Sequence, residues 1–102
     1  MILPSKELIE KVLGLKNPKC IDRIDDEFWI EFDIEDEKMF NIYEFAFKIK
    51  EWAYEHWFFI DSYTNINSGA KVTKQFEKSM YFVEKTEVEA IIKAGEWVLK
   101  QL

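Results

Sequence analysis

The run from Ile42 to His56 contains neither glycine nor proline, and Asn41, followed three residues later by Glu44, precedes it as a capping pattern. In that pattern both side chains satisfy backbone N–H groups that a helix leaves free at its start. At about 100° per residue, apolar and aromatic side chains cover more than half of the helix circumference. Such a helix either lies between two layers, or covers a sheet with one side and meets a partner with the other.

The apolar residues of this helix form two adjacent stripes. The first stripe is suited to the core and consists of Ile42, Phe45, Ala46, Ile49, Trp52, Ala53 and His56. The second stripe is aromatic and is interrupted by Lys50. It is the candidate face of a homodimer or of a small-ligand pocket, and it consists of Tyr43, Phe47, Tyr54 and Trp57.

The other elements follow from caps, turns and alternation. Helices are predicted over about residues 6–14, after Ser5, and after the capping pair Thr86 and Glu89. Strands are predicted over residues 28–34 and 58–63, and over 70–83 as one strand or two, while residues 20–24 suit an extra strand. We therefore expect one domain, residues 1–102, with an α+β or α/β sandwich fold. Helices would pack on a small sheet of about three to four strands, in the order α-β-α-β-β-α.

Acidic residues are concentrated in residues 22–37, which we call the acidic segment. The protein has a formal net charge of -6 at pH 7, and the acidic segment carries nine carboxylates against one base, Arg23. Positive and negative residues nearly balance in the rest of the chain. The nine carboxylates are Asp22, Asp25, Asp26, Glu27, Glu31, Asp33, Glu35, Asp36 and Glu37.

This charge favours one class of partner. It repels phosphate backbones and anionic membranes and attracts basic surfaces over the distance that salt permits, about 10 Å. Arginine, which is best suited to bidentate phosphate contacts, occurs once beside thirteen lysines. We expect no direct nucleic-acid binding and no membrane binding, and a basic protein surface, such as that of a nucleic-acid-binding protein, as the partner. The predicted contacts are Asp25, Asp26, Glu27, Trp29, Glu31, Asp33, Glu35, Asp36 and Glu37.

Cellular location is predicted from the cysteine content and the first residues. Cys20 is the single cysteine, so an internal disulfide cannot form. The first residues lack the basic and apolar regions of a secretory signal, and no run of about 20 apolar residues occurs. These features predict a cytoplasmic protein.

Catalytic and cofactor signatures are weak in this sequence. Gly14, Gly69 and Gly95 are too far apart to form a phosphate-binding loop, and the acidic clusters lack the spacing of a calcium loop. His56, the single histidine, is expected at the helix end under aromatic side chains, and Cys20 is expected to be a small core residue. We therefore predict no catalytic residue, no metal site and no cofactor.

Two stretches of the sequence carry a resemblance. The segment from Thr86 to Leu99 joins an acidic cap to an alanine-containing amphipathic helix, and Tyr43–Ala46 with Lys50–Ala53 repeats that character. This pattern resembles small uncharacterised proteins of bacterial prophages and other mobile elements. The resemblance implies a layered α-β-α sandwich and implies no catalytic residue.

Three functions are consistent with the sequence. The first is a non-enzymatic interaction or inhibitor module whose acidic surface imitates phosphates and docks on a basic partner. The second is a homodimeric or ligand-binding domain that uses the aromatic stripe. The third is an enzyme, which would require a concave pocket with a perturbed carboxylate, or Cys20 and His56 within mutual reach. The first function is the prediction, and the other two are its alternatives.

Overall fold

The computed structural model describes residues 3–14, 18–24, 27–32, 39–64, 68–74, 77 and 79–102, with side chains described for 3–14, 41–64, 68–74, 77 and 79–102. These residues form an α+β fold, as predicted. In chain order the elements are α1 (Lys6–Leu13), β1 (Pro18–Ile24), β2 (Glu27–Phe32), β3 (Met39–Asn41), α2 (Ile42–Glu55), β4 (Phe58–Thr64), β5 (Ser68–Lys74), β6 (Ser79–Glu84) and α3 (Glu87–Gln101).

The helix boundaries follow from the caps that the sequence predicts. The side chain of Ser5 accepts a hydrogen bond from Leu8 N at 3.1 Å, and Asn41 Oδ1 accepts one from Glu44 N at 2.8 Å. At the start of α3, Thr86 Oγ1 accepts a hydrogen bond from Glu89 N at 3.2 Å. The helix α1 ends at Gly14, which adopts a left-handed conformation with φ of 69°. Each helix therefore begins or ends where its local chemistry requires.

The strands form two antiparallel sheets in the described part of the chain, whereas the sequence predicted a single small sheet. The first sheet has the order β1-β2-β3, and the second has the order β4-β5-β6, with β4 and β6 as its edge strands. Strand β3 is a three-residue strand that the sequence pattern did not reveal, because its length is too short for alternation to be recognised. Of the two alternatives for residues 70–83, the structure has two strands, since β5 ends at Lys74 and β6 begins at Ser79.

The core lies between the helices α2 and α3 and the inner face of the second sheet, and α1 packs against α2 and α3. The helix α3 contacts β4, β5 and β6, and α2 contacts α3, β4 and two strands of the first sheet. The helix α2 thus contacts both sheets with part of its surface, while the aromatic stripe on its other side remains exposed, which is the second of the two arrangements that its apolar circumference allows. Core residues include Leu8, Ile9, Ile42, Phe45, Ile49, Ala70, Val72, Ile92 and Val98.

Within the described residues, no helix is both long enough and apolar enough to span a bilayer.

Candidate interaction surface

Four aromatic side chains of α2 and its C-terminal turn are exposed. Tyr43, Phe47, Tyr54 and Trp57 have 55%, 62%, 65% and 64% of their surface accessible. At about 100° per residue, Tyr43, Phe47 and Tyr54 fall within an arc of about 40° on one side of the helix. Together with Trp57, which follows the end of α2, these are the residues of the aromatic stripe predicted from the sequence, and all four are exposed. Large contiguous exposed apolar surfaces are uncommon on monomeric proteins and often mark interaction sites.

Trp57 has an unusual backbone conformation for a bulky residue. Its φ angle is 68°, in the left-handed region that favours glycine. The N–H of Trp57 donates to Tyr54 O at 3.0 Å, and the N–H of His56 donates to Ala53 O at 2.9 Å, so both residues close the end of α2. A left-handed conformation costs a residue with a Cβ atom about 1–2 kcal/mol. Trp57 therefore carries this conformational cost although its indole is exposed to solvent.

The aromatic stripe continues onto the second sheet through Phe59. The rings of Tyr54 and Phe59 meet edge to face, with centroids 5.4 Å apart and planes at 76°. We call Tyr43, Phe47, Tyr54, Trp57 and Phe59 the aromatic face. Such edge-to-face pairs fix the relative orientation of the two rings. The aromatic face is therefore formed by α2, its C-terminal turn and the start of β4, with Tyr54 and Phe59 in contact where the helix and the strand meet.

Acidic side chains border the aromatic face. The exposed charged residues of α2 are three carboxylates, Glu44, Glu51 and Glu55, and one ammonium group, Lys48. Asp61 is exposed on β4, two residues after Phe59. Aromatic rings and carboxylates both attract cations, the former through the electron-rich face of the ring. This border gives the face a preference for positively charged groups.

Lys50, which interrupts the aromatic stripe, is held by neighbouring polar groups. Its Nζ donates to Ser62 Oγ at 2.6 Å, and Ser62 Oγ donates to Glu87 Oε1. Thr64 Oγ1 donates to Glu87 Oε2 at 2.8 Å. The hydrogen bonds from Ser62 and Thr64 and the nearby charge of Lys50 lower the pKa of Glu87 below its ordinary value of 4.5. The network joins α2, β4 and α3 next to the aromatic face.

This network does not have the chemistry of a nucleophilic site. A serine nucleophile needs a base that accepts its proton. Glu87 accepts a hydrogen bond from Ser62 Oγ, but a carboxylate with a lowered pKa is a weak base. The adjacent cavity is a recess of about 200 Å³, bordered by Tyr43, Phe47 and Val88 among others. Its volume is below the range of about 300–1,000 Å³ that is usual for ligand pockets.

The predicted acidic contacts lie only partly within the described residues. Glu27, Trp29 and Glu31 belong to the backbone of β2, where Trp29 pairs with Asp22 on β1 and with Asn41 on β3. Strand β3 leads directly into α2, and β2, which is the part of the acidic segment that contacts α2 among the described residues, lies next to the helix that carries the aromatic face. The remaining predicted contacts, Asp25, Asp26, Asp33, Glu35, Asp36 and Glu37, lie outside the described residues.

His56 follows the end of α2, and Cys20 lies within β1. His56 caps the C-terminus of α2, is exposed, and meets Trp52 edge to face at 5.5 Å. Cys20 belongs to β1, and its side chain is not among those that the structure describes. The alternative in which Cys20 and His56 lie within mutual reach is therefore still a prediction. No cluster of three or more potential metal ligands occurs among the described residues.

Two features of this region are not evident from the sequence pattern. The hydrogen-bonded pairs Lys50–Ser62, Ser62–Glu87 and Thr64–Glu87 are separated by 12 to 25 positions along the chain and meet only through tertiary packing. The sequence gives no sign of the left-handed conformation of Trp57, because glycine and asparagine are the residues that usually mark such a position. The sequence does indicate a turn near Trp57, because the helical pattern changes there to the strand pattern that begins at Phe58.

No protein-family model matches the chain, and comparisons with curated proteins and with solved structures give no significant match.

Proposed function

We propose that the protein is a non-enzymatic, cytoplasmic interaction or inhibitor module that binds a basic protein surface. The aromatic face supplies the anchors, and the acidic segment together with Glu44, Glu51 and Glu55 supplies the charge. The single observation that carries this proposal is the exposure of Tyr43, Phe47 and Tyr54 on one side of α2, with Trp57 exposed in the turn that follows the helix. A nucleic-acid-binding protein is the class of partner with suitable basic surfaces.

Arginine and lysine side chains of the partner fit this face for two physical reasons. A guanidinium or ammonium group gains energy over an aromatic ring, and the gain increases when water is excluded. Carboxylates at the border steer the partner and pair with its remaining charges. Aromatic residues and arginine are also the types that dominate binding energy at protein interfaces. The aromatic face therefore supplies most of the affinity for the partner, and the acidic residues raise the rate at which the partner is encountered.

The retained left-handed conformation of Trp57 also supports this assignment. Glycine at residue 57 would avoid the cost of the conformation, and the exposed indole gains little from burial in the described part of the protein. Strained residues are enriched at functional sites. A partner that covers the indole would explain why tryptophan occupies the position.

A homodimer formed through the same face is the second candidate. Tyr43, Phe47, Lys50 and Tyr54 follow the alternating spacing of four and three residues that is typical of helix pairing. In an antiparallel pair centred between Lys50 and Glu51, Phe47 would meet Tyr54 of the second copy. The same register places Lys50 opposite Glu51 of the second copy, and these opposite charges favour the pair.

The experiment measures capture of a basic partner and its dependence on the aromatic face. Host lysate is passed over the immobilised protein at low salt, the captured protein is identified and purified, and its affinity is measured for each variant. Phe47→Ala and Tyr54→Ala should each weaken binding at least about tenfold, the loss expected for an interface anchor. The matched control is Tyr81→Ala, which removes an equally exposed aromatic ring on β6.

The salt dependence separates the two candidates. A basic partner captured through charge is released as the salt concentration rises, and its affinity falls steeply. A homodimer held by aromatic packing persists at high salt in gel filtration and dissociates in the Phe47→Ala variant. Binding that is equal in all three variants, or a captured protein without a basic surface, would contradict the proposal.

A further inference from the structure

A groove runs along the side of α3 that carries Lys93 and Lys100. Its volume is about 380 Å³, and it lies between the N-terminal residues, β6 and α3. This volume falls within the range of about 300–1,000 Å³ that is usual for small-molecule sites. None of its lining residues belongs to the aromatic face. The groove is lined by Leu3, Phe82, Lys93, Glu96, Trp97 and Lys100.

The base of the groove is apolar and partly accessible. Trp97 is half-buried, and its ring meets Phe58 edge to face with centroids 5.8 Å apart. Phe82 is also half-buried and packs against the core, while Leu3 is exposed beside it. Because Trp97 and Phe82 are each held from behind by the core, their accessible surfaces form a fixed wall. An apolar group placed in the groove would bury this surface at no cost in rearrangement.

Two lysines are placed beside this apolar wall by the helix repeat. Lys93, Trp97 and Lys100 have the spacing i, i+4 and i+7, so they lie on one side of α3. The carboxylate of Glu96 is directed to the cap of α1, since Glu96 Oε1 accepts hydrogen bonds from Ser5 Oγ at 2.7 Å and from Ser5 N at 3.3 Å. Among the described residues that line the groove, the charged groups are thus two ammonium groups and one carboxylate that already accepts hydrogen bonds, which gives this described lining one excess positive charge.

The charge of the whole protein selects among anions. With a formal net charge of -6, the protein repels nucleic acids and acidic protein surfaces, because each brings many negative charges into its field. A small monoanion carries a single charge and is attracted by two ammonium groups well within the screening distance of about 10 Å. The groove is therefore suited to a small anion with an apolar part.

We propose that this groove binds small monocarboxylates with an apolar tail. The carboxylate lies between Lys93 and Lys100, where it accepts charge-assisted hydrogen bonds, and the tail lies along Trp97 and Phe82. The proposal is independent of the proposed function.

Octanoate is the probe that tests the proposal, with binding followed by NMR of the isotope-labelled protein. The indole N–H resonance of Trp97 is identified by its loss in Trp97→Phe. We expect this resonance to shift saturably with octanoate, while the resonance of Trp57 stays in place. The double substitution Lys93→Gln with Lys100→Gln should weaken binding at least about tenfold, because charged hydrogen bonds are lost.

Three controls make the result specific. The double substitution Lys48→Gln with Lys71→Gln removes the same charge from other surfaces and should leave the affinity for octanoate unchanged. 1-Octanol and octylammonium have the same tail without the negative charge and should bind at least about tenfold more weakly. Equal binding of octanol and octanoate, equal affinity in the Lys93/Lys100 variant, or an unmoved Trp97 resonance would each overturn the proposal.

Discussion

Gly95 of α3 lies directly against Ile49 of α2. A Cβ atom on residue 95 would lie 2.9 Å from Ile49 Cγ2 and 3.3 Å from Leu8 Cδ2. Both neighbours are fully buried, one on α2 and one on α1. The missing side chain thus allows three helices to approach at one point, which explains a glycine in the interior of a helix where alanine would be favoured by about 1 kcal/mol.

We predict that Gly95→Ala destabilises the protein. Crowding against Ile49 costs about 1–3 kcal/mol, while the better helix propensity of alanine returns about 1 kcal/mol. The net loss should be on the order of 1 kcal/mol, and Gly95→Val should lose more, as measured by urea unfolding. An alanine variant more stable than the parent protein would show that the helices can separate without cost.

Replacement of Trp57 should distinguish backbone strain from partner contact. Trp57→Gly removes the left-handed strain, whereas Trp57→Ala keeps a Cβ atom at the same φ angle. After allowance for the greater flexibility of glycine in the unfolded chain, the glycine variant should be more stable than the alanine variant by about 0.5–1 kcal/mol. Thermal and urea unfolding measure this difference. Partner affinity should fall equally in both variants, because both lack the indole.

Glu87 should contribute a pH-dependent part of the stability. Its pKa in the folded protein is lowered below 4.5, chiefly by the hydrogen bonds from Ser62 and Thr64. The stabilisation is therefore fully present above pH 4.5 and is lost as the pH falls through the lowered pKa of the folded state. The free energy of unfolding of Glu87→Gln should fall less steeply than that of the parent protein below pH 4.5. Parallel curves would contradict the prediction.

Charge reversal in the acidic segment should affect binding far more than folding. We predict that Asp25→Lys, Asp26→Lys, Asp36→Lys and Glu37→Lys together abolish capture of the basic partner. Exposed charges contribute about 0–1 kcal/mol each to stability, so the variant should still unfold cooperatively. Circular dichroism melting checks the fold, and the salt-dependent capture assay checks binding. A folded variant that binds as tightly as the parent protein would remove the acidic segment from the interface.

The helices could be predicted because their signals are local. Asn41 and Thr86 are followed by their capping partners, and Gly14 ends α1 in the conformation that favours glycine. The buried and the exposed stripe of α2 also follow from the helix repeat, except at His56, which was assigned to the buried stripe but is exposed because the helix ends at Glu55. Ile49 is fully buried and Tyr54 is exposed, as the stripes predict.

The division of the strands into two sheets could not be predicted, because strand pairing depends on contacts between distant residues. Alternation in residues 28–34 indicates a strand without indicating its neighbours. The groove along Trp97 was missed for the same reason, since Leu3 and Phe82 reach α3 only in the folded chain. Lys50 was recognised as an interruption of the aromatic stripe, but its partners lie on other elements.

Strand β6 is at the edge of its sheet, and Met80, Tyr81 and Val83 are exposed along it. An open apolar edge can act as a template for strands of other molecules during synthesis and at high concentration. Glu84 and Lys85 immediately follow this apolar run and act as charged gatekeepers against intermolecular stacking. Neutralising both residues should remove that protection and lower the yield of dispersed protein, even though neither side chain belongs to a proposed binding surface.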